Sequence, residues 1–75
     1  MTQEDLALIL KQRYDGAKRN EATMQVHLFG IEYGQVIKEH EYKIADIVAL
    51  AGLDKGYAAE VSKGVKLSAV VVRKQ

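Results

Sequence analysis

Leu6, Ile9, Leu10 and Tyr14 recur at intervals of three and four residues, the spacing that places apolar side chains on one face of a helix. Thr2 followed by Asp5 resembles a capping box, and Asp15-Gly16 reads as a stop, so a first helix is predicted over about residues 3–14. Residues 16–20, GAKRN, form a basic polar loop whose Asn20 can cap the next element. A second helix is predicted over 21–39, with Met24, Leu28 and Ile31 on one face and Val26, Tyr33 and Ile37 flanking. Gly30 and Gly34 stand four apart inside it. Each costs about 1 kcal/mol against alanine in a helix interior, so each needs a reason. The expectation is close approach by another helix, with a break at either glycine as the alternative.

The next stretch, IADIVALAGLDKGYAAEVSKG, divides into two short helices about a turn. Ile44, Ile47, Val48 and Ala51 share a helical face, and Gly52 follows where the chain must turn left-handed. Leu53 is then an apolar plug, Asp54 a candidate N-cap, and the second helix carries Ala58 and Val61 inward before ending near Gly64. Beyond it, Val65, Leu67, Ala69 and Val71 alternate with Lys66, Ser68 and Val70, which predicts an extended segment over residues 65–72. A lone strand leaves an open edge, and a second copy of the chain could pair with it as a homodimer.

Two short helices joined by a glycine-containing turn form the unit that places a recognition helix in the DNA major groove. Residues 44–64 resemble the helix-turn-helix of bacterial repressors, particularly the lac-repressor type. Ala51, Gly52 and Leu53 match its turn, and Ile47, Ala58 and Val61 match its inter-helix aliphatic positions. Val48 departs from the small residue usual there, and Lys43 from the usual Ser or Thr cap. The whole chain is also similar to short bacterial proteins with a helix-turn-helix-like domain, through HLFGIEY and the AGL…GY…EV…G pattern. The resemblance implies an all-α bundle of four helices, ending in a short C-terminal extended segment, within one domain spanning residues 1–75.

Composition narrows the function. The 75 residues allow one small core, and the absence of cysteine removes disulfides and thiolate metal sites. The absence of proline favours helices, and no apolar run approaches the roughly 18 residues that span a bilayer. The acidic N-terminus is no targeting signal, so a cytoplasmic protein is expected. Net charge is only +1, but it is unevenly distributed: +1 over residues 1–20, −3 over 21–42 and +3 over 43–75. The bases concentrate where the helix-turn-helix lies, the side expected to meet an anionic partner.

Other chemistry is thin. A zinc site needs about three or four converging ligands, and His27 and His40 are the only histidines, so no metal is expected. Ser62 and Ser68 lack the strained turn of a catalytic serine, and the glycines do not form a phosphate loop. Neither an enzyme nor a cofactor is expected. The reading is a small bacterial regulator or accessory factor that binds double-stranded DNA through about residues 54–64. Lys55, Gly56, Tyr57, Ala59, Glu60, Lys63 and Lys66 are the candidate contacts, Lys55 and Lys63 for phosphates or guanine edges and Tyr57 for a phosphate. The alternative is a protein-interaction module that uses the C-terminal segment and the Gly30/Gly34 face.

Overall fold

The computed structural model describes residues 1–70, and in them four helices: α1 (Gln3–Asp15), α2 (Ala22–Glu39), α3 (Ile44–Leu50) and α4 (Tyr57–Leu67). The capping box that starts α1 is complete. The Asp5 N–H donates to Thr2 Oγ1 at 3.1 Å, and the Thr2 N–H donates to Asp5 Oδ2 at 3.0 Å. Those bonds hold the Asp5 carboxyl below the usual carboxylate range.

The loop into α2 departs from expectation. Asn20 makes no cap; it takes φ 72, and Glu21 becomes the N-cap without a side-chain bond. Asparagine tolerates the left-handed region better than most residues, so it serves the turn instead of the helix end. α2 then runs unbroken through Gly30 and Gly34 to Glu39. Its buried face is Val26, Phe29, Gly30, Gly34 and Ile37, rotated from the predicted one, and Met24 is exposed.

One core collects Leu6 and Leu10 from α1, Val26, Phe29 and Ile37 from α2, Ile47 and Val48 from α3, and Val61 and Val65 from α4. Phe29 is the largest fully buried side chain. α2 lies between its neighbours, and its tightest seam is with α4. A Cβ built on Gly30 would lie 2.5 Å from the Val61 carbonyl oxygen and 2.9 Å from Gly64 Cα. One built on Gly64 would overlap the His27 carbonyl oxygen, and one on Gly34 would overlap the Ser68 side chain. Close helix approach is therefore why α2 carries its glycines. Gly64, expected to end α4, is instead the partner glycine in mid-helix.

α4 continues to Leu67, with Val65 and Ser68 buried, and residues 68–70 form a turn. The extended segment expected from residue 65 is thus helix and turn over 65–70, and the rest of it lies outside the described residues. The alternation of Val65, Leu67 and Ala69 lost to packing: Val61, Gly64, Val65 and Ser68 make one continuous helical face against α2. Strand pairing through residues 65–70 is accordingly removed as a basis for a homodimer. The Gly30/Gly34 face is likewise covered by α4, which withdraws it from any partner.

Candidate nucleic-acid interface

α3 starts at Ile44 after Lys43, which supplies no side-chain cap. Its buried residues are Ile47 and Val48. At its end Gly52 takes φ 76. The Gly52 N–H donates to the Ala49 carbonyl at 3.0 Å, and the Leu53 N–H donates to the Val48 carbonyl at 3.2 Å. This pair of bonds satisfies the last carbonyls of the helix, and Leu53 turns back onto the core. The plug role expected of Leu53 is what the structure shows.

The turn then runs longer than expected. Asp54 does not cap α4; the N-cap is Gly56, without a side-chain bond. The main chain closes the gap, with the Tyr57 N–H donating to the Asp54 carbonyl and the Ala58 N–H to the Lys55 carbonyl, both at 3.0 Å. Lys55 and Gly56 are therefore exposed residues of the turn, not of the first helical turn.

Along α4 the inward positions Val61, Gly64 and Val65 are buried, and Ala59, Lys63 and Lys66 are exposed on the opposite side. Their spacing of four and three residues makes one stripe. Ser62, which the sequence reading did not select, is half-buried beside it. Its signal was available: it precedes Lys66 by four residues, the spacing of helical neighbours.

Two expected contacts are occupied from within. Tyr57 packs on Tyr14 of α1 with ring centroids 5.3 Å apart. The neighbouring Tyr14 hydroxyl, with burial and the nearby Asp54 charge, raises the Tyr57 phenol above its ordinary value. Glu60 turns toward α2, where His27 Nε2 meets its Oε2, while Lys63 Nζ reaches its Oε1 at 3.3 Å. Burial pushes the Glu60 carboxyl up, but the Lys63 bond and charge together with His27 outweigh it, and the net shift is downward. Glu60 is thus a clasp between α2 and α4 and does not belong to the outward-facing stripe.

The seven candidates resolve into an exposed group (Lys55, Gly56, Ala59, Lys63 and Lys66) and an engaged pair (Tyr57 and Glu60). Among the described residues no three His, Asp or Glu side chains gather as metal ligands, and no helix is long and apolar enough to cross a membrane. Comparison with curated proteins and with solved structures gives no match. The sequence model of a family described as "HTH-like domain" matches residues 2–74. Nearly the whole chain is covered, including the Gly52 turn and both helices beside it, and the protein belongs to the HTH-like domain family.

Proposed function

We propose that this chain is a small cytoplasmic, bacterial DNA-binding protein, a transcriptional regulator or accessory factor, that lays the outer face of α4 in the major groove of double-stranded DNA. The observation that carries this reading is the exposed stripe of Ala59, Lys63 and Lys66 on the helix after the Gly52 turn. Its inward face is used by the core, which leaves the stripe exposed toward a partner. Alanine at position 59 keeps the surface low enough for close approach. Lys63 and Lys66 are placed for phosphates or guanine edges, Ser62 for a phosphate oxygen, and Lys55 for the backbone beside the start of the helix.

The test is an electrophoretic shift titration against a genomic duplex pool at two salt concentrations. Affinity should fall with a log–log slope of about 0.9 per phosphate contacted. Lys55→Glu/Lys63→Glu should weaken binding and flatten that slope while the helical circular dichroism persists. Reversing Lys18 and Arg19, exposed in the loop between α1 and α2, should matter less. A folded wild type with no salt-dependent binding would overturn the reading.

One observation favours a second reading, a protein-interaction module. The Lys63 ammonium is partly neutralised by Glu60, so the basic field of the stripe is weaker than its lysines alone suggest. A partner of mixed charge would suit it, and failure of the shift titration would leave this reading in place.

A further inference from the structure

Leucine is exposed at two neighbouring points on the side of the molecule formed by α1 and α3. Leu8 is 58% exposed and Leu50 is 54% exposed. They share one shallow depression with Glu4, Ala7 and Lys11, and a second depression joins Leu50 and Glu4 to Asp46. Single exposed leucines are ordinary, but two side by side, ringed by charge, form a patch of the kind that marks contact sites.

The charges around the patch have an order. On α1, Glu4, Leu8 and Lys11 fall at intervals of four and three residues, so they form one stripe of acid, leucine and base, which Asp15 extends by a further acid four residues on. Asp46 of α3 adds a second acid at the Glu4 end. A stripe ordered acid–apolar–base is complementary to itself when reversed. An antiparallel copy, related by a two-fold axis midway between positions 4 and 11, sets Glu4 against Lys11 of the second copy and the leucines against one another. An acidic or a basic peptide would match only one end.

We propose that the α1–α3 face is the homodimer interface of this protein, with Leu8 and Leu50 at its centre and reciprocal Glu4–Lys11 pairs at its rim. In the single chain Lys11 pairs with Asp15 at 2.9 Å, with both side chains more than half exposed. Such a pair is held weakly and exchanges readily for an intermolecular one. A standard interface buries about 800 Å² per partner, about a sixth of the 4938 Å² surface of this chain. With only two leucines as anchors the contact belongs to the weaker class, with a dissociation constant on the order of micromolar. The inference uses no residue of α4 and stands apart from the DNA-binding reading.

The test is sedimentation equilibrium of the full chain without DNA, over a concentration series. The wild type should approach twice its 8.3 kDa mass. Leu8→Glu and Leu50→Glu each change an exposed side chain, so the fold should persist by circular dichroism while dimerisation weakens at least about tenfold. Lys11→Glu alone should also weaken it, and Glu4→Lys/Lys11→Glu should restore it, because reversal at both ends recreates the reciprocal pairs. Truncation after residue 70 should leave it unchanged. The proposal fails if the wild type stays at 8.3 kDa at every loading. It fails equally if either leucine substitution leaves the dimer intact, if the double reversal does not recover what Lys11→Glu loses, or if the truncated chain is monomeric.

Discussion

α2 meets α4 and α1 by two different kinds of contact. Against α4 the seam is main chain on main chain: Gly30 and Gly64 face one another with no room for a Cβ on either. Against α1 the seam includes long polar side chains. Arg13 Nη1 pairs with Glu32 Oε2 at 2.6 Å, and the guanidinium lies over the Tyr33 ring at 5.5 Å from its centroid. Long side chains can re-rotamerise around a change, whereas two backbones held by glycine cannot yield without moving a helix. The position of α4, and with it the outward stripe, is therefore set by the seam that tolerates least.

Substitution at Gly64 should separate the two seams most sharply. Gly64→Val places a branched side chain against the His27 carbonyl and Gly30, and α4 must move away from α2. The expected loss is about 3 kcal/mol or more, against a total of about 5 kcal/mol for a domain of this size, so urea unfolding should show a largely unfolded population. Arg13→Ala should cost less, about 2 kcal/mol, as it removes a half-buried pair and a ring contact without a clash. If the two variants unfold at the same urea concentration, the contrast between the seams is wrong.

The glycine seam also shows how much could be read from the sequence. Gly30 and Gly34 announced a close approach by their spacing within a helical pattern, and that inference needed no partner. Gly64 was misread as a stop because its partner, Gly30, lies in another helix and no local signal distinguishes the two uses of glycine. The same limit applies to the candidate interface. Ala59 and Lys63 were legible from position alone, because their exposure follows from the burial of Val61 on the other side of the helix, whereas Lys66 was expected in an extended segment and lies instead on α4. Tyr57 and Glu60 were not, because Tyr14 and His27, which engage them, come from α1 and α2. Asp54 was a good cap by residue type, yet the turn continued to Gly56 and left it outside the helix.

Helix ends give a smaller and cleaner contrast. α2 and α3 finish with the same pair of main-chain bonds, but the left-handed position is Gly52 after α3 and Glu41 after α2, at φ 76 and φ 56. The Tyr42 N–H reaches the Ile37 carbonyl at 3.1 Å just as the Leu53 N–H reaches that of Val48. A Cβ on Gly52 would meet nothing within 4 Å, so Gly52→Ala changes backbone preference alone. It should destabilise by about 1 kcal/mol, and Glu41→Gly should stabilise by up to about the same amount. Thermal melts of the two variants should move in opposite directions. A shift of the same sign in both would mean that contacts other than the left-handed residue decide these ends.

The smallest expected effect lies at the Glu60 clasp across the tight seam. Glu60 is held by Lys63 and His27, and its carboxyl is shifted below its ordinary value of 4.5. A carboxyl with a lower pKa in the folded state binds fewer protons folded than unfolded. Its contribution is therefore present in full above the ordinary value and is lost as the pH falls through the lowered, folded-state value. Asp5, held in the capping box, is lowered in the same direction from its own ordinary value of 3.8, and its contribution is lost as the pH falls through its own lowered value. Replacing Glu60 with Gln should thus flatten part of the acid limb of a stability–pH curve and leave the Asp5 part in place. The measurement is the urea midpoint of wild type and Glu60→Gln between about pH 3 and pH 6. The difference between them should narrow as the pH falls, because protonation removes from the wild type the charge that the variant already lacks. A difference that stays constant across the range would show that Glu60 acts through packing and not through its charge, and the clasp would then belong with the glycines as a matter of shape.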